Sequence, residues 1–289
     1  MEFGQRDGRV APRQIDALLP KEMAKRAERV GVEKAEQDSL SLLVLGILAG
    51  AFVAFGATFA AAVTAGAGTS STPGLVKLAG GVTFSLAYVL AIVGGAELFT
   101  TNNLMVMAWA HGRLTTARLL RAWGIVFVGN LVGTVSTATL LILAGQHARM
   151  EGSVGAGLLG TAAQIDGLGL FDGFVLGVLG NTLLCLGVWL TYSARTTADR
   201  IMALVLPVAA FYVLEFEHAI AVMFYLPCAV LIDVMAQPDF WTLIDREPAD
   251  VTVWSFLRVL VSVTAGNVVG GGMLVALVYW FVYLRPGRL

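Results

Sequence analysis

The stretch LEFEHAIA (214–221) sets two carboxylates and an imidazole, Glu215, Glu217 and His218, between two apolar runs, IMALVLPVAAFYVL (201–214) and AIAVMFYLPCAVLI (219–232). An ionisable group at membrane depth costs at least ~2.5–3.5 kcal/mol and marks an ion or proton pathway by default. An imidazole, with an unperturbed pKa near ~6.5, exchanges a proton at physiological pH. The competing reading of His218 is a neutral structural histidine bonded to Asn or Thr. If the backbone breaks here, Glu217 bonds loop amides while His218 faces a pore. FEHAI lacks two histidines at i and i+4, so a zincin-type metal site is not expected, and neither metal nor cofactor is called for. A second polar stretch, GGAELFTTNN (94–103), joins two glycines, an acid and a Thr-Thr-Asn-Asn run. Non-helical backbone at membrane depth survives only where it is buried in protein or lines a cavity. Leu98–Asn103 therefore reads as a loop breaking a span; the alternative is a span that ends here, with MVMAWAH at the interface.

The elements that must position these groups are membrane spans. Of 289 residues, 57% are hydrophobic and 13% charged, against about 25% charged in soluble domains. Several uncharged stretches approach the ~20 residues that cross a bilayer core. The expected fold is all-α and polytopic, with six spans: Leu40–Ala65, Leu75–Ala110 (interrupted), Leu120–Ala144, Leu170–Ser193, Ile201–Ile232 (interrupted) and Val253–Leu284. Of 19 Lys and Arg, 15 fall on one side of this arrangement, which predicts both termini cytoplasmic. Lys77, Arg149, Arg246 and Arg258 are the remainder. Residues 1–38 lack a signal-peptide core. Within them, 12–36 read as a cytoplasmic amphipathic helix with Ile15, Leu19, Met23, Ala27 and Val30 on one face, more consistent with packing on its own protein than with lipid sensing. The channel domain is expected over 39–284, with halves of about 39–145 and 168–284, and a cytoplasmic tail over 285–289. GNLVG (129–133) and GNVVG (266–270) echo each other, each after an interrupted span. That is the trace of an inverted repeat with a site at the midplane. Gly46, Gly50 and Gly56 on the first span, and Gly173, Gly177 and Gly180 on the fourth, suit close helix packing. Cys185 and Cys228 read as apolar fillers, and the spread of basic residues over flanking loops gives no nucleic-acid signal.

GGAELFTTNNLMV (94–106), GNTLLCLGVWLTYSARTTADRI (180–201), LPVAAFYVLEFEHAIAVMFYLP (206–227) and TAGNVVGGGMLVALVYW (264–280) resemble the formate/nitrite transporter family, over nearly the whole chain from about Leu40. The resemblance implies an aquaporin-like six-span protomer with its own pore, a homopentamer in a bacterial cytoplasmic (inner) membrane, and passage of small monovalent anions or their weak acids: formate, nitrite, hydrosulfide, acetate or lactate. By position it implies His218 as the central pore histidine, Thr100 in the loop of the second span, Glu217 and Asn267 flanking His218, and Asn181 from the fourth span. It puts apolar constrictions at Phe211 and Tyr88, with Leu98 and Phe99 beside the loop. Two departures stand out. The family commonly has a lysine just before the fourth span, where TAAQIDGLGLFDGF (161–174) has Gln164, Ile165 and the acid Asp166. Glu215 stands where the family has a small or neutral residue. Together they weaken anion attraction, unless Arg149 or a helix N-terminus supplies the field.

Magnitudes choose the mechanism. Idealised transfer of a carboxylate to low dielectric costs of order 20 kcal/mol and still several after relaxation. Holding a carboxyl of pKa near 4 neutral at pH 7 costs roughly 4 kcal/mol. A pore with apolar gates is therefore expected to pass the neutral acid, with His218 relaying a proton and Thr100 and Asn267 holding the anion. Alternatives are a water- or glycerol-like pore and a non-transporting relative. Thr100–His218–Glu217 is formally triad-like, but no oxyanion-hole motif accompanies it, so an enzyme is not expected.

Overall fold

The computed structural model describes residues 17–67, 72–245 and 251–285; Ile15, Arg246 and residues 286–289 of the expectations above lie outside them. The described residues form helices α1 (Pro20–Glu36), α2 (Ser39–Thr64), α3 (Pro73–Gly94), α4 (Val106–Ala110), α5 (Thr116–Leu143), α6 (Ser153–Asp166), α7 (Leu170–Thr191), α8 (Thr197–Val213), α9 (Ala219–Met235), α10 (Pro238–Ile244), α11 (Val253–Asn267) and α12 (Val278–Tyr283). A π-helical stretch, Val268–Leu277, joins α11 to α12. By length and composition α2, α3, α5, α7 and the run Val253–Tyr283 can each cross a membrane. The interrupted fifth span of the sequence is carried by α8 and α9, 17 residues each, on either side of a non-helical segment. Short α10 turns from α9 by 118°.

Local chemistry starts the spans where the sequence has its capping residues. The Asp38 carboxylate accepts the Leu40 and Ser41 N–H groups at the start of α2. Thr196 with Asp199, and Thr252 with Ser255, form reciprocal capping boxes at α8 and α11, satisfying amides a helix start leaves unpaired. The second span ends earlier than the expected Leu98–Asn103 loop. Gly95 takes a left-handed conformation (φ 83°), and the Gly95 and Ala96 N–H groups both donate to the Ala91 carbonyl. A glycine at this position is a standard helix stop. The chain stays non-helical to Thr100 and then makes one 3₁₀ turn, Thr101–Met105.

Small residues let the backbones touch. A Cβ on Gly133 of α5 would enter the Ile47 carbonyl of α2, and one on Gly270 would enter the Val178 carbonyl of α7. The two contacts occupy matching places in the two GNxVG motifs. The helix α1 packs on the protein rather than standing free. Met23, Ala24, Ala27, Gly31 and Ala35 are its buried face. Leu19, expected on that face, is 69% exposed. The apolar stripe is rotated because small residues permit close approach: Gly31 abuts Met105 and Ala108. The surface of the span bundle carries many large apolar side chains, among them Leu48, Phe55, Leu140, Phe171 and Leu206, as lipid contact requires.

Candidate functional site

Two asparagines hold the two breaks. In the first, Asn130 of α5 donates through Nδ2 to the Gly46 and Glu97 carbonyls, both at 2.8 Å, and its Oδ1 accepts the Phe99 N–H at 2.9 Å. In the second, Asn267 donates to the Gly177 carbonyl at 2.8 Å and the Glu217 carbonyl at 3.2 Å, and accepts the Ala219 N–H at 2.9 Å. The patterns match partner for partner, as an inverted repeat demands. Each asparagine supplies the hydrogen bonds that the broken helix no longer gives its own backbone, and in a dry interior those bonds are obligatory. Asn267 is thus occupied by backbone, and so is Asn181, whose Nδ2 donates to the Thr100 carbonyl at 3.1 Å and the Asn267 carbonyl at 2.7 Å. Asn181 ties the two breaks together. The π-helical turn makes room for this: a Cβ on Gly271 would collide with Asn181 and Cys185.

Between the breaks lies a polar node. His218 Nε2 is 2.7 Å from Thr100 Oγ1 and 2.9 Å from Tyr88 Oη, and all three residues are fully buried. His218 is also the N-cap of α9, where its Nδ1 accepts the Ala221 N–H at 3.3 Å. A nitrogen that accepts an N–H carries no proton, so the proton of the neutral ring is on Nε2, which donates to Thr100 or Tyr88. The sequence pairs these groups only across 118 and 130 residues; the broken helices bring them together.

Two cavities lie towards opposite ends of α3. One, about 200 Å³, is lined by Arg26 and Lys34 of α1 together with Ala91, Glu97, Thr101 and Arg200. Lys34 Nζ reaches Glu97 Oε2 and Asn102 Oδ1, both at 2.8 Å, pinning α1 to the first break. Burial and the nearby Arg200 guanidinium hold the Arg26 pKa below its usual value. The other, about 280 Å³, is lined by Lys77, Gln164, Ile165, Phe211, Glu215 and Glu217, among others. Lys77 and Ala91 are 14 residues apart on one helix, or about 21 Å. His218 lines neither cavity. Phe211 lines the second cavity and meets the imidazole edge-on at 6.1 Å, with Phe84 stacked behind it at 6.2 Å.

The remaining expected residues divide. Leu98 is fully buried, and Tyr88, expected as an apolar constriction, is a hydrogen-bonding member of the node. The Phe99 ring turns away to pack edge-on against Trp123 and Phe127 of α5, and what it contributes to the break is its backbone N–H. Sequence reasoning missed three residues. Asn130 was marked by the GNLVG echo. Lys77 and Lys34 carried no local signal, since only the fold brings them to the cavities. Gln164, Ile165 and Glu215, the divergent positions, share one cavity with Lys77, whose Nζ lies 2.5 Å from Glu215 Oε1. Among the residues described as lining it, Lys77 is the cation; Arg149 is not one of them.

Comparison with known proteins bears on the whole arrangement. The formate/nitrite transporter family model matches residues 21–281. The chain is 42% identical over 275 residues to a formate channel, FocA, of Escherichia coli strain K12, covering 94% of this chain and 96% of the relative. It is 35% identical to the formate channel FocA of Haemophilus influenzae, over 89% of this chain and 92% of the relative. Among solved structures, a pentameric formate channel with formate bound superposes with a TM-score of 0.80 at 35% identity, covering 86% of this chain and 98% of the other. With twin broken helices, paired asparagine braces and a match along nearly its whole length, this chain belongs to the formate/nitrite transporter family.

Proposed function

We propose that the protein is a channel for formate, working as a homopentamer in a bacterial cytoplasmic (inner) membrane with both termini cytoplasmic and each protomer holding its own pore. The observation that carries this is the buried His218–Thr100–Tyr88 node between two cavities at opposite ends of α3. The relatives named above are formate channels, which supports formate over nitrite or hydrosulfide. The apolar shell around the node favours passage as the neutral acid by the magnitudes given above.

Two proton routes serve this function. In a relay, His218 takes a proton at Nδ1 and gives one from Nε2 to formate. That route charges a fully buried ring, at several kcal/mol, and strips α9 of its cap, at about 1 kcal/mol. In the other, formate is protonated in the cavity and His218 stays neutral, offering hydrogen bonds. The Ala221 N–H on Nδ1 favours the neutral ring. His218→Asn separates the routes, because an amide caps and hydrogen-bonds but does not relay. Proteoliposomes carrying His218→Asn are expected to keep formate flux within a fewfold of the parent, still rising with acidity. Flux as low as in His218→Ala would favour the relay. Thr100 meets the substrate from the first break, while Asn267, Asn181 and Glu217 act by holding the loops.

A further inference from the structure

We propose that the Lys77 ammonium is the anion-receiving group of the cavity beside Phe211, and that the Glu215 carboxylate is a tethered competitor occupying that group in the substrate's place. This rests on the reading of the chain as a formate channel. Lys77 is the cation among the residues described as lining the cavity, and the cavity also holds Glu215 and Glu217. Without Lys77, the charged groups that a small carboxylate meets on approaching Phe211 are acids, Glu215 and Glu217. The contact of Lys77 Nζ with Glu215 Oε1, at 2.5 Å, is chemically the contact that formate would make.

Glu215 reaches it from an unfavourable backbone. Its φ is 54°, in the left-handed region, where a side chain is strained and glycine is not. Both side chains are about half exposed, at 47% and 60%, so the pair is solvated and readily exchanged. Glu215 on Lys77 is the empty state; formate on Lys77, with Glu215 swung into solvent, is the loaded state. Tethering gives Glu215 a high effective concentration, which raises the formate concentration needed to load the site. Lys77, on α3, thereby meets the charge requirement that Gln164 and Ile165 leave open from α6.

The test uses the purified full chain, with every variant checked for the parent's oligomeric size. The melting temperature is measured against formate, with chloride balancing ionic strength, and formate uptake is measured in parallel. Glu215→Gln is expected to lower the formate concentration at half-maximal shift by about 3–10-fold, and Lys77→Gln to raise it about tenfold. Lys77→Arg is expected to stay near the parent. An unchanged midpoint in both Lys77→Gln and Glu215→Gln would overturn the proposal and reduce the pair to a surface ion pair. The midpoint judges the proposal, whereas absent uptake by the parent would count against the channel reading.

Discussion

At the scale of single residues, the site is a set of buried polar groups whose hydrogen bonds are already assigned. Thr100 and Tyr88 meet His218 Nε2, and Ala221 N–H meets Nδ1. The asparagines are the clearest case. Asn130 and Asn267 each make three bonds to break-forming or neighbouring backbone. Asn130→Ala and Asn267→Ala each leave buried backbone groups without partners, at about 1–3 kcal/mol per group. Each variant is expected to lower the thermal midpoint by several degrees in detergent. A midpoint within 1–2 °C of the parent, on the order expected of a neutral surface change, would show that the braces are not needed. The sequence made His218 legible because a histidine in an apolar run is conspicuous. Asn130 was readable only as part of an echo, because a lone asparagine within a span has no fixed meaning until its partners are known. Phe99, expected beside the loop, gives its ring to α5 and its backbone N–H to Asn130.

At the scale of elements, breaks and close contacts depend on one another. The glycines of the GNxVG motifs let α5 reach α2 and α11 reach α7, which is what brings each asparagine to its loop. Gly133→Leu and Gly270→Leu are expected to abolish the native oligomer, as read by size-exclusion chromatography, since the neighbour to be displaced is backbone. Lys34 of α1 holds Glu97, whose side chain is 5% exposed. Removing one partner of such a pair costs about 3–5 kcal/mol. Lys34→Met is therefore expected to destabilise strongly, and Lys34→Met with Glu97→Gln to recover much of the loss. The Asp199 cap adds a pH effect. Hydrogen bonds from the Thr196 and Arg195 backbone hold its carboxyl below its ordinary value. Its contribution is present above pH about 4 and is lost as pH falls through the lowered value. Span positions were legible from hydropathy, and cap residues marked several starts. The stop at Gly95 and the π-helical stretch were not, because hydropathy does not distinguish helix from loop when both are apolar, and α6 was not anticipated.

At the scale of the whole molecule, the twin half-spans and their asparagine braces lie between a cavity bordered by α1 and a cavity bordered by Lys77. The large apolar side chains on the outside, Phe55, Leu140 and Leu206 among them, suit lipid and neighbouring protomers alike. Light scattering of the detergent-solubilised protein is expected to give five copies of the 30.5 kDa chain; a monomer or dimer would contradict that. Sequence established the class and the two interruptions. The cation at the second cavity was hidden, because Lys77 and Glu215 are 138 residues apart and only the packing of α3 against α8 joins them.

The central claim, that small weak acids pass through the node at His218, is tested most directly by formate uptake into proteoliposomes across pH 5–8, for the parent and for His218→Ala. The account predicts saturable uptake that rises as pH falls and drops at least about tenfold in the variant, equivalent to about 1.4 kcal/mol or more of barrier. Uptake that is absent in the parent, or the same in His218→Ala, would contradict it.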